Sequence, residues 1–116
     1  MYLRMTIHLK NMFGNPYYAE KISNALENIE LPTTPKNLYE PILYILSLSG
    51  KRVRPQLVFM GAHLFGHDDV DSVLPASVAI EYFHNFSLMH DDIMDKAPLR
   101  RGKQTVHQRW NDNVAI

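Results

Sequence analysis

From Asp71 or Ser72 to about Asp95 the chain reads as one long, mostly apolar helix that runs into three carboxylates, Asp91, Asp92 and Asp95. Pro75 is compatible with it if the cap is Asp71 or Ser72, because proline is tolerated in a first turn. Its richest apolar window, Val78–Met89, is interrupted by Glu81, His84 and Asn85. A few residues past the carboxylates stand Lys96, Arg100, Arg101 and Lys103. Acid and base are thus segregated at short range across Asn85–Thr105, and the rest of the chain is organised around that stretch.

The remaining segments carry the same helical period. Asn15-Pro16 opens a first helix, with Asn15 as cap and proline where no donor is lost. Ile22, Ala25, Leu26 and Ile29 follow at one-face spacing until Leu31–Pro35, where two prolines stop the helix. Leu38, Ile42, Leu43, Ile45 and Leu46 form a second apolar face, with Gly50 placed as a left-handed cap. Arg54-Pro55 begins a third helix through Leu57, Val58, Met60, Ala62 and Leu64, closed by Gly66. Lys96–Gly102 reads as a loop, and Thr105 caps a last helix running to Val114-Ala115-Ile116. Met5, Met12, Met60, Met89 and Met94 read as core filler. No stretch alternates with period two, so the expected class is all-α.

Composition narrows the function. The 116 residues are 46% hydrophobic and 21% charged, with no net charge. That balance argues against a general nucleic-acid or membrane-surface partner. With no cysteine there is neither a disulfide framework nor a thiolate metal site, and a reducing, cytoplasmic compartment is expected. The opening MYLRMTIHLKNMF has no signal-peptide core, and no run approaches the ~18 apolar residues of a membrane span.

On an ideal helix, with Asp91 at zero, Asp95 falls near +40°, His84 near +20° and Asp92 near +100°. Asp91, Asp95 and His84 therefore share a face, with Asp92 at its shoulder and His90 off it. Two carboxylates four residues apart suit Mg²⁺, which takes one or two protein carboxylates and completes its shell with water and phosphate oxygens. Like charges stacked near a helix C-terminus are otherwise unfavourable, a local conflict of the kind functional sites carry. A second signal is Gly50–Pro55, GKRVRP, whose Lys51 and Arg54 stand at a helix start that also favours anions. Taken singly, the acidic motif describes a solvated helix end as readily as a site, and GKRVRP alone is more often a solvated basic run.

Together, GKRVRP at Gly50–Pro55, HNFSLMHDDIMD at His84–Asp95 and LRRGKQTVH at Leu99–His107 resemble the trans-isoprenyl (polyprenyl) diphosphate synthases, over most of the chain from about Tyr39. The resemblance implies the N-terminal part of one catalytic domain, the isoprenoid synthase helical bundle around a central cavity, usually a homodimer. It implies Mg²⁺-dependent condensation of an allylic diphosphate with isopentenyl diphosphate. Asp91 and Asp95 would bind Mg²⁺ with Asp92 in support, Arg100 would contact the allylic diphosphate, and Lys51, Arg54, His84 and Arg101 would hold isopentenyl diphosphate. Phe86 and Ser87, just before the acidic motif, would limit the product to a short chain of about fifteen to twenty carbons. The ideal wheel puts Phe86 about 140° from Asp91 and Ser87 about 40° away, so a bend or a neighbouring helix is needed for Phe86 to act there.

The family's second aspartate-rich motif is absent from these residues, and they are expected to be inactive alone. Two rivals remain. One is a non-catalytic or regulatory subunit built from a prenyltransferase half. The other is an HD-type metal phosphohydrolase, suggested by His90-Asp91 with His84 and His107, which leaves GKRVRP and the paired arginines unexplained.

Overall fold

The computed structural model describes residues 15–116, so the readings of MYLRMTIHLKNMF and of Met5 and Met12 lie outside the described residues. The elements are α1 (Pro16–Glu27), α2 (Lys36–Ser47), α3 (Val53–Leu64), α4 (Val70–Met94), the two-residue strands β1 (Leu99–Arg100) and β2 (Lys103–Gln104), α5 (Val106–Arg109) and α6 (Asp112–Ala115). The class is all-α, as the periodicity predicts. Two compact units share the chain, one of residues 15–26 with Lys51–Glu81, the other of Glu27–Gly50 with Tyr82–Ile116. No helix among the described residues is long and apolar enough to cross a membrane.

The first unit is built on α1, α3 and the first part of α4. Asn15 caps α1 as expected, its side chain accepting from the Tyr17 N–H at 3.0 Å. Ile22, Leu26, Phe59 and Val73 are buried, and Tyr18 stacks on Phe59 with ring centroids 5.0 Å apart. The buried face of α3 is Pro55, Gln56 and Phe59, while Leu57 and Leu64 are exposed. The expected face is therefore rotated: the aromatic Phe59, with more area to bury than a leucine, takes the interior. Gly66 closes α3 as predicted. Its φ is +78°, and its N–H and that of His67 bond back to the His63 and Ala62 carbonyls, a Schellman motif.

The cap of α4 is Asp69, not Asp71 or Ser72; its carboxylate accepts from the Ser72 N–H at 3.4 Å, and Ser72 Oγ donates to its carbonyl. Pro75 therefore lies beyond the first turn, and its ring nitrogen leaves the Asp71 carbonyl without a helical donor.

In the second unit α2 contacts α5 and α6 and buries Pro41, Ile45 and Leu46, leaving Leu38 and Leu43 exposed. Gly50 is not a left-handed cap. Leu48 ends α2 in extended conformation, and among the described residues the positive-φ glycines are Gly66 and Gly102. The expected last helix is two short ones. Trp110 leaves helical geometry and Asn111 starts α6 afresh, its side chain accepting from the Val114 N–H at 2.9 Å. Met94, read as core, is 72% exposed. Helix α2, the later part of α4 and α6 surround an apolar cavity of about 410 Å³, onto which Ile42, Tyr82, Asn85, Phe86, Met89 and Ile116 open.

Candidate functional site

The acidic end of α4 divides its three carboxylates by exposure. Asp91 and Asp95 are exposed, whereas Asp92 is only 4% exposed. The Asp95 N–H still bonds to the Asp91 carbonyl at 2.9 Å, so the helical register carrying both carboxylates persists through the last turn. Lys96 and Ala97 then close α4 with a second Schellman motif, bonding to Ile93 and Asp92 carbonyls. Lys96 occupies the left-handed position at φ +50°, where glycine is the usual choice.

Buried Asp92 is satisfied by a two-pronged bond from Arg100, with Nε to Oδ2 at 2.7 Å and an Nη to Oδ1 at 2.8 Å. This hydrogen bonding holds the Arg100 guanidinium above its ordinary pKa, helped by the charges of Asp92, Asp91 and Asp95 and opposed by burial. Arg100 thus feels all three carboxylates while bonding directly to one. Two of its N–H groups are committed to Asp92, and the others remain able to meet a second anion.

The segment read as a loop holds a small hairpin, in which Leu99 faces Gln104 and Arg100 faces Lys103. Arg101 and Gly102 form its turn with φ of +52° and +75°, the two positive angles of a type I′ turn. Thr105 fastens the base, Oγ1 donating to the Ala97 carbonyl at 2.7 Å and N–H to that of Pro98 at 3.1 Å. Thr105 stands at the N-cap of α5 as predicted, but its side chain clamps the hairpin and makes no capping bond. The hairpin sends its arginines to different partners: Arg100 goes to Asp92, and Arg101 Nη1 donates to the Leu48 carbonyl at 3.0 Å. The Arg101 guanidinium lies against Gly50, where an added Cβ would come within 2.9 Å of its Cζ. Gly50 is needed for closeness, not for turning.

His84 is half-buried on α4, and Ser87 Oγ donates back to its carbonyl at 2.7 Å. Phe86 lines the apolar cavity and packs on His90 with centroids 4.3 Å apart. The His90 Nε2 meets the Ile116 carbonyl at 3.1 Å. Among the described residues no three His, Asp or Glu side chains gather as metal ligands. The donor set present, two exposed aspartates in helical register, matches what Mg²⁺ asks of protein when phosphate oxygens complete its shell.

Lys51 and Arg54, in the first unit, are both exposed around the start of α3. Between them Arg52 is ion-paired to Glu81 at 2.5 Å, with side chains 13% and 2% exposed. Sequence reading treated Glu81 as an interruption. The missed signal was a carboxylate inside an apolar window, which stays buried only with a cation beside it.

Comparison with known proteins identifies the family. Residues 35–116 match the family described as polyprenyl synthetase. The chain is 41% identical over 95 residues to a geranylgeranyl diphosphate synthase of Methanosarcina mazei, covering 82% of this chain and 29% of that one. It is 44% identical over 79 residues to a short chain isoprenyl diphosphate synthase of Methanocaldococcus jannaschii, covering 68% and 24%. Among solved structures, a geranylgeranyl pyrophosphate synthase superposes with a TM-score of 0.73 at 43% identity, over 92% of this chain and 31% of that one. An FPP/GFPP synthase from Zymomonas mobilis gives 0.75 at 38% identity, over 95% and 40%. The chain spans 29% and 24% of the length of these two curated relatives. On the strength of the family match and these relatives, the chain belongs to the polyprenyl synthetase family.

Proposed function

We propose that the chain forms part of a short-chain trans-prenyltransferase that joins isopentenyl diphosphate to an allylic diphosphate. The observation that carries the proposal is the acidic end of α4: Asp91 and Asp95 exposed in register, with Asp92 and Arg100 locked beside them. Asp91 and Asp95 would hold Mg²⁺, which when bound supplies neutralising charge for a departing diphosphate. Arg100, preorganised by Asp92, adds fixed positive charge at the same place without reorganising during the reaction. Following the resemblance, Lys51, Arg54, His84 and Arg101 hold isopentenyl diphosphate, converting a two-body encounter into an oriented one. An apolar cavity bordered by Phe86 fits a prenyl tail and excludes water from an allylic cation. The short-chain relatives support a product of about fifteen to twenty carbons. The whole enzyme is proposed as a cytoplasmic homodimer.

The test is condensation assayed with Mg²⁺, isopentenyl diphosphate and geranyl diphosphate. We expect a longer prenyl diphosphate from the complete gene product and none from the 116 residues alone. Turnover by the 116 residues would refute their dependence on a second half, and no turnover by the complete product would refute the activity. In the complete enzyme, Phe86→Ala is expected to lengthen the product; unchanged length would remove Phe86 from that role.

A further inference from the structure

We propose that Arg52 is a positioning residue, which buried Glu81 grips to hold the Lys51–Pro55 segment so that Lys51 and Arg54 present their charges outward together. The inference rests on the reading of Lys51 and Arg54 as diphosphate ligands. Arg52 precedes α3 at φ +48° and ψ +42°, the left-handed region, and makes no side-chain capping bond. An arginine persists there only when its surroundings over-determine it.

Three side chains supply that determination. Arg52 Nη1 meets Glu81 Oε1 at 2.5 Å. Gln56 Nε2 donates to the Lys51 carbonyl at 3.2 Å, just before the strained residue. Ser77 Oγ donates to the Pro55 carbonyl at 3.0 Å, just after it. Ser77, Glu81 and Gln56 are 0%, 2% and 6% exposed, so all three act from the interior. Ser77 and Glu81 are four apart on α4 and share one face of it. The segment is thus pinned before, at and after its left-handed residue.

The three cations of GKRVRP therefore separate by role. Lys51 and Arg54 are exposed, while Arg52 spends its charge on a carboxylate that burial would otherwise make costly.

Hydrogen exchange of Leu57 and Val58, whose amides bond back to the start of α3, tests the positioning directly in the unliganded chain, and calorimetric titration with isopentenyl diphosphate tests its consequence. For Glu81→Gln we expect exchange at these amides to rise about tenfold while the last turn of α3 keeps its protection. Affinity should fall about tenfold through misplacement of the two cations. The reversed pair, Arg52→Glu with Glu81→Arg, should recover both. Should Glu81→Gln fail to fold, Arg52→Lys, which keeps the charge and shortens its reach, serves the same comparison. Wild-type exchange in a folded variant, or weakened binding with exchange unchanged, would overturn the inference. Lys51→Ala separates the two readings. If it leaves affinity untouched, the diphosphate reading of this segment fails, and the exchange comparison alone decides whether Arg52 is a positioning residue.

Discussion

Asp92 and Arg100 fix the character of the acidic end of α4, because a carboxylate that is 4% exposed must keep its cation. Asp92→Ala strands Arg100 and is expected to cost about 2–3 kcal/mol in urea unfolding, below the fully buried value because Arg100 is part-exposed. A change under about 0.5 kcal/mol, the range of ordinary surface substitutions, would show the pair to be incidental. At Gly50 the expected effect is the reverse. Gly50→Ala pushes the Arg101 guanidinium, the far end of a long side chain, off its seat, so the melting temperature should barely move while affinity for isopentenyl diphosphate drops. Equal affinity would show that Arg101 works without that seat. The helical wheel already separated Asp91 and Asp95 from Asp92, since spacing alone fixes a face. It could not pair Asp92 with Arg100, because that contact depends on a hairpin whose turn is Arg101-Gly102 rather than the commoner Asn-Gly.

At the scale of elements, helix ends decide where charge is delivered. Helix α4 closes with Lys96 in a conformation that suits glycine, so Lys96→Gly should stabilise the chain by about 0.5–1 kcal/mol, measured by denaturant midpoint. Destabilisation would mean that the lysine side chain contributes more than its backbone costs. The four longer helices were legible because each repeats an apolar face at helical spacing and ends at proline, glycine or a polar turn. Their orientation was less legible. Phe59 turns α3 away from Leu57 and Leu64, and only tertiary packing selects among overlapping faces. The break at Trp110-Asn111 escaped notice because Asn111 is both a tolerable helix residue and a strong cap. GKRVRP was legible as a basic helix start. Its partition into two outward charges and one buried pair was not, since Glu81 lies 29 residues further on.

For the molecule as a whole, equal acid and base conceal two local arrangements, each built on a buried carboxylate of α4 holding an arginine. Burial also raises the pKa of Tyr82, favouring the neutral phenol in the folded state. Since the unfolded group ionises near pH ~10, folding stability from this residue is complete below that pH and declines as pH climbs toward the raised folded value. Tyr82→Phe should flatten the alkaline limb of a stability profile, and an unaltered limb would remove Tyr82 as a cause. The account's central claim is that Asp91 and Asp95 carry a Mg²⁺-dependent diphosphate site. Its most direct test is calorimetric titration of the chain with geranyl diphosphate, with and without Mg²⁺, beside the folded double variant Asp91→Asn/Asp95→Asn. Saturable binding only with Mg²⁺, weakened at least about tenfold in the double variant, is the predicted result. Binding that ignores Mg²⁺, or that survives loss of both carboxylates, would contradict it.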